Sequence, residues 1–85
     1  MPETSLATIS IEYCAPCAEM LRAIKATEEL LIEFEDQIEK ITLIPSGDSV
    51  FEVAVNGTLV FSKMRLGRHP EDGEVIRKVG EQLSR

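Results

Sequence analysis

The chain has 85 residues, 44% hydrophobic and 28% charged, which fits one small domain over 1–85 with a modest core. Nine Lys and Arg against 15 Asp and Glu leave a formal charge of −6, which excludes a general nucleic-acid-binding role, because neutralising phosphates needs a basic surface. No apolar run approaches the roughly 18 residues of a membrane span, and Met-Pro-Glu-Thr-Ser lacks the basic-then-apolar pattern of a secretory signal; a cytoplasmic protein with no membrane partner is expected.

Leu6 to Tyr13 alternates, with Ile9, Ile11 and Tyr13 on one side and Thr8, Ser10 and Glu12 on the other. That is the period of a strand with one buried face. It runs into Cys14-Ala15-Pro16-Cys17, which holds both cysteines of the chain. Pro16 suits the first turn of a helix, where a missing N–H costs nothing. Leu21, Ile24, Leu31, Phe34 or Glu35, and Ile38 then recur at helical spacing, with Met20 and Leu30 at the margins. Arg22, Lys25, Glu28, Glu29, Glu33 and Asp36 fill the opposite side. The pattern predicts one helix from Ala15 to Gln37.

Lys40 to Pro45 alternates again, with Ile41 and Leu43 on one face. Pro45-Ser46-Gly47-Asp48 is turn chemistry. Val50 to Val55 predicts a third strand and Thr58 to Ser62 a fourth, joined by Asn56-Gly57, a two-residue type I′ hairpin signal. Lys63 to Pro70 reads as a loop. Val75, Ile76, Val79 and Leu83 predict a second helix over Glu71 to Leu83.

The order is β-α-β-β-β-α, an α/β fold. Two strands joined by a helix should be parallel with a right-handed crossover, and the hairpin adds an antiparallel pair. A four-stranded mixed sheet of order 2-1-3-4, with two helices on one face, is a minimal thioredoxin-like domain. Ile9, Ile11, Tyr13, Ile41, Leu43, Phe51, Val53, Val55 and Val60 are expected beneath the helices. Thr8, Ser10, Glu12, Lys40, Thr42 and Glu52 suit the wet face. Leu59, Phe61 and Val50 break that polarity, either under a loop or terminus or as a dimer or partner patch.

In a reducing compartment two cysteines this close are a poor structural staple. At a strand-to-helix junction they suit thiol–disulfide exchange. Cys14, beside the free amides of the helix start, is the expected nucleophile; Cys17, one turn in and deeper, is the expected resolving thiol. Parallel pairing brings Ser46 to the same end, and strand four returns Lys63, Arg65 and Arg68 there. These residues could bind a partner, lower a thiol pKa or hold the carboxylates of glutathione; the alternative is a solvated basic loop. Two cysteines and one histidine are too few for a zinc site within one chain, which leaves one shared between two chains. A pair of inert, buried cysteines is the other alternative. His69 could shuttle protons, though a histidine before Pro70 in a loop is more often simply exposed.

With these features placed, the sequence resembles the Rdx family of selenoprotein W, T and H relatives, in particular bacterial selenoprotein W-like members with cysteine in place of selenocysteine. The resemblance rests on Ile11-Glu12-Tyr13-Cys14 with Cys17, Leu21-Arg22-Ala23, Glu29-Leu30-Leu31 with Phe34, Leu43-Ile44-Pro45-Ser46, Phe51-Glu52-Val53, Val55-Asn56-Gly57, Phe61-Ser62-Lys63, and Gly67-Arg68 with Pro70. It implies a thioredoxin-like fold, with selenocysteine in some members at the place of Cys17. It also implies a redox role linked to glutathione as co-substrate, with no bound cofactor. Partners would be thiol or disulfide proteins, and the chain a monomer or weak homodimer; a redox-gated, non-catalytic binding module is the alternative function. The chain departs from the family at Glu19, where an aromatic residue is common, and at His69, where Phe is common. Asp48-Ser49-Val50 also lacks the cis-proline that thioredoxins place before the third core strand.

Overall fold

The computed structural model describes residues 6–85. The first strand, β1 (Ala7–Cys14), lies inside the sheet, where its alternation puts it: Ile9, Ile11 and Tyr13 are buried. After α1 (Met20–Phe34) and a 3-10 turn (Glu35–Gln37), β2 (Ile38–Ser46) pairs with it in parallel. β3 (Phe51–Val55) pairs with its other edge antiparallel, and β4 (Thr58–Ser62) closes the hairpin. The sheet order is the expected 2-1-3-4. Asn56 and Gly57 both have positive φ, 51° and 84°, as a type I′ turn demands. The Asn56 side chain also accepts a hydrogen bond from the Thr8 amide at 2.9 Å, tying the turn to β1.

The short helix α2 (Lys63–Leu66) occupies the segment expected to be a loop, and α3 (Glu74–Leu83) is the terminal helix. The Ser62 hydroxyl caps α2 by accepting from the Arg65 amide. Core residues from α1, α3 and the strands form one cluster, so both long helices cover the same sheet face. Gly80 is where they meet: a Cβ there would stand 3.0 Å from Phe34 Cζ, so glycine lets the ring lie on α3. No helix among the described residues is long and apolar enough to cross a membrane.

Three expectations need correcting. First, α1 starts at Met20, not Ala15, and Ile38 opens β2 rather than ending the helix. Ala15 to Ala18 form turns, and Ala18 has a left-handed φ of 61°, which no α-helix can include. Second, α1 buries Ala23, Ala26 and Leu30, while Leu21, Ile24 and Leu31 are exposed. The alanines bring the helix close to the sheet, and the larger apolar side chains are left outside. Third, Phe61 points into the core, 2% exposed, edge-on to Phe51 at 6.4 Å. The register shifts between Val53–Phe61 and Ala54–Leu59, so Val60 is the extra residue of a bulge that resets the alternation. Val50 is also buried, and of the expected patch only Leu59 is exposed.

On the open sheet face Glu12 and Glu52 are direct cross-strand partners. Like charges so placed cost about 0.2–1 kcal/mol, less than the roughly 1.5–3 kcal/mol of a hydrogen bond to a charged group. The structure supplies such bonds. Ser46 donates to Glu12 at 2.6 Å, and Ser62 and the Met64 amide donate to Glu52 at 2.5 and 3.2 Å.

At the start of α3, Glu74 is nearly buried. It accepts both forks of Arg68, at 2.7 and 3.0 Å, and the Glu71 amide at 2.9 Å. The Arg68 hydrogen bond, aided by that amide, holds the Glu74 carboxyl down from 4.5 to about 2. A depressed carboxyl contributes stability that is present above its ordinary pKa and lost as pH falls through the folded value. Arg68→Ala is therefore expected to make acid unfolding begin at higher pH, with the wild-type advantage disappearing as pH falls from about 4.5 toward 2. A pH series of thermal melts checks this; parallel acid limbs for the two proteins would refute it.

Candidate redox site

β1 ends between β2 and β3, and its last peptides are fastened to the chain on both sides. The Cys14 amide donates to the Val50 carbonyl at 3.0 Å, and the Ala15 amide donates to the Ser46 carbonyl at 2.9 Å. Cys14 is thereby held at the sheet end, 1% exposed. The chain then reverses through Cys17 N to Cys14 O (3.3 Å) and Ala18 N to Ala15 O (3.2 Å). Cys17 is carried outward and is exposed. The two cysteines form a disulfide, with Cα atoms 5.2 Å apart, inside the usual range.

The expected depths are therefore reversed: Cys14 is the buried sulfur and Cys17 the accessible one. The expected helix dipole behind Cys14 is absent too, because α1 begins six residues later and the Cys14 amide is spent on Val50, the residue before β3.

The segment Gly47–Val50 forms the opposite wall. Asp48 and Ser49 both have positive φ, 57° and 58°, and Val50 N donates to Gly47 O at 3.3 Å, a type I′ turn built without glycine at its centre. Left-handed backbone costs a non-glycine residue about 1 kcal/mol or more. The turn sets the Ser49 hydroxyl 3.7 Å from Cys17 Sγ, within reach of a sulfur hydrogen bond. Lys63 Nζ donates to the Ser49 carbonyl at 2.8 Å and holds the turn from the far side.

Of the residues expected at this end, Lys63 is brought to the disulfide through Ser49. Ser46 is also there, but as a brace: its carbonyl takes the Ala15 amide and its hydroxyl goes to Glu12. Arg65 lines a shallow hollow with Leu59, Leu66 and Lys78. Arg68 is committed to Glu74 and lies 6.0 Å over the Phe61 ring. His69 is half-buried rather than loose: its Nε2 meets Glu19 at 2.5 Å, and Glu19 also accepts from Arg22 at 2.8 Å. Glu19 and His69, the two positions that depart from the pattern of the family the sequence resembles, thus touch each other beside the start of α1.

Ser49 is the residue that sequence reasoning missed. Gly47-Asp48-Ser49 is visible as a turn, but only a left-handed φ at Ser49 turns its hydroxyl toward Cys17, and a serine does not advertise that conformation.

Comparison with known proteins agrees with this geometry. The crystal structure of a selenoprotein W-related protein from Vibrio cholerae superposes with a TM-score of 0.87 at 32% identity, covering 93% of this chain and 99% of that one. A crystal structure from Bordetella parapertussis gives 0.86 at 28% identity, covering 92% and 99%. Migration and invasion enhancer 1 from Bos taurus is 34% identical over 76 residues, and that from Mus musculus 33%. The match takes in 84% of this chain but 60% of each of those relatives. The Rdx family model matches residues 8–81, and the chain belongs to the Rdx family.

Proposed function

We propose that this chain is a thiol–disulfide exchange protein in which Cys17 is the sulfur that partners reach and Cys14 the resolving one. The observation that carries the reading is the asymmetry of the pair: one sulfur exposed, the other sealed at a strand end. Exchange requires in-line access to a sulfur, and only Cys17 offers it. In the reducing direction the Cys17 thiolate attacks a partner disulfide and expels one partner thiolate. The Cys14 thiolate then attacks Cys17 Sγ, re-forms the intramolecular disulfide and releases the second. Two electrons pass to the partner, and the two protons lost by the cysteines appear on its thiols. Glutathione, a small acidic thiol, would return the electrons: one molecule opens the disulfide at Cys17 and a second clears the mixed disulfide. Lys63 supplies positive charge on that side. A cytoplasm that keeps thiols reduced suits such a cycle.

This order differs from the sequence-based expectation of Cys14 as attacker, and trapping separates the two. With Cys14→Ser, oxidised glutathione should leave one glutathione on Cys17, visible by mass. With Cys17→Ser, Cys14 should resist labelling until the protein is denatured. Stable trapping on Cys14 and not on Cys17 would overturn the assignment. Sustained disulfide reduction by the wild type with glutathione supports a catalyst; oxidation that only alters partner affinity supports the alternative, a redox-gated binding module.

Ser49 and Lys63 act in the same scheme by stabilising the Cys17 thiolate. In the Cys14→Ser background, Ser49→Ala should slow alkylation of Cys17 at neutral pH by about tenfold, the effect of losing one hydrogen bond of about 1.4 kcal/mol to a charged group. Ser49→Gly should slow it equally while raising the denaturation midpoint, because glycine relieves the left-handed backbone. Alkylation rates that track stability instead would show Ser49 to be structural only.

A further inference from the structure

We infer that the outer face of α1 is a homodimer interface, in which two copies of the helix pack antiparallel about a two-fold axis. The core explains Ala23, Ala26 and Leu30. It does not explain Leu21 and Ile32, which are 72% and 77% exposed on the side of the helix away from the sheet.

Leu21, Lys25, Glu28 and Ile32 succeed one another at intervals of four, three and four residues, all within α1. That spacing keeps them on one narrow stripe, the seam spacing of packed helix pairs. The stripe is about 16 Å long by helix rise. It has large apolar residues at its ends and opposite charges about its middle, so it complements itself when reversed. Rotated by a two-fold onto a second copy, Leu21 meets the partner's Ile32 and Lys25 meets the partner's Glu28. Each contact occurs twice, as an isologous interface requires. A parallel copy would set Lys25 against the partner's Lys25 and gain nothing from the charges.

The flank of the stripe adds to this. Met20, Ile24 and Leu31 are exposed on one side of it. The same two-fold puts Ile24 at the level between the partner's Leu31 and the partner's Ile24, which extends the apolar contact. On the other side, Arg22 comes to the level between the partner's Glu29 and the partner's Glu33. Against association stands the formal charge of −6 on each copy, a long-range repulsion that physiological salt screens. The interface is therefore of modest strength, seen as concentration rises. It is independent of the redox reading, since the stripe begins beyond the disulfide loop.

Sedimentation at rising protein concentration in physiological salt tests the inference. The wild type is expected to approach twice the 9.5 kDa chain mass. Lys25→Glu and Glu28→Lys, each alone, should stay at the mass of one chain at the same concentration. An equimolar mixture of these two variants should recover the heavier species, because each then meets its opposite charge across the two-fold. No effect confined within a chain produces that recovery. Leu21→Ser, at a position that contributes little to folding, should also stay monomeric. A wild type that remains one chain at millimolar concentration overturns the inference, and would leave the face to a different protein. Single charge variants that associate like the wild type overturn it as well. So does a mixture that stays monomeric while both variants show native circular dichroism.

Discussion

The arrangement depends on where β1 stops. Backbone amides taken out of water must be paired, and at the end of an interior strand two neighbours compete to pair them. Cys14 N takes Val50 O on one side, and Ala15 N takes Ser46 O on the other. With both neighbours engaged, Cys14 is held at the strand end and has no freedom to turn outward, so it is 1% exposed. The chain must leave the sheet in the next few residues, and the only way out is toward solvent. Cys17 is exposed for that reason. The inequality of the two sulfurs follows from the sheet's hydrogen bonding before any chemistry is considered.

The same logic runs around the open face to the far wall of the site. Glu52 gathers the Ser62 hydroxyl and the Met64 amide, which draws the start of α2 back against β3. Ser62 in turn caps α2 through the Arg65 amide. Lys63, between them, is left with its amine directed to the Ser49 carbonyl. A carboxylate facing another carboxylate across β1 and β3 would be a liability by itself. Tied to a serine and an amide, Glu52 becomes the joint that sets the lysine. The strain held at Asp48 and Ser49 is sustained by these attachments, since the turn is gripped at both flanks and at its centre.

The sequence discloses the topology well, because strands with one wet face and a strong Asn-Gly turn carry their own register. The strand order, the parallel crossover and the pairing of Cys14 with Cys17 all follow from local patterns. Failures occur where a single residue changes the count. Ala18 enters the left-handed region and delays α1, which removes the helix start from Cys14. Val60 forms a bulge and sends Phe61 inward. Arg68 finds Glu74 six residues on and leaves the site, and no local pattern distinguishes it from Lys63. Ser49 owes its place to a backbone angle that its side chain neither requires nor signals.

The misjudged face of α1 is of a different kind. Two apolar stripes compete on that helix, one of alanines with Leu30, the other of large aliphatics. Hydrophobicity alone favours the large residues. Packing favours the small ones, because a helix laid over a twisted sheet gains most by close approach, and Ala23 and Ala26 permit it. Each large side chain left in water forgoes about 1.5–3 kcal/mol of transfer free energy. Lys or Glu at Leu21 or Ile32 would serve the helix's propensity as well. Folding of the single chain therefore supplies no reason for those two residues, and the pattern that misleads a fold assignment is the one that speaks for a second surface. The charges between them, reversed in sign about the middle of the stripe, define a partner with the same stripe running the other way.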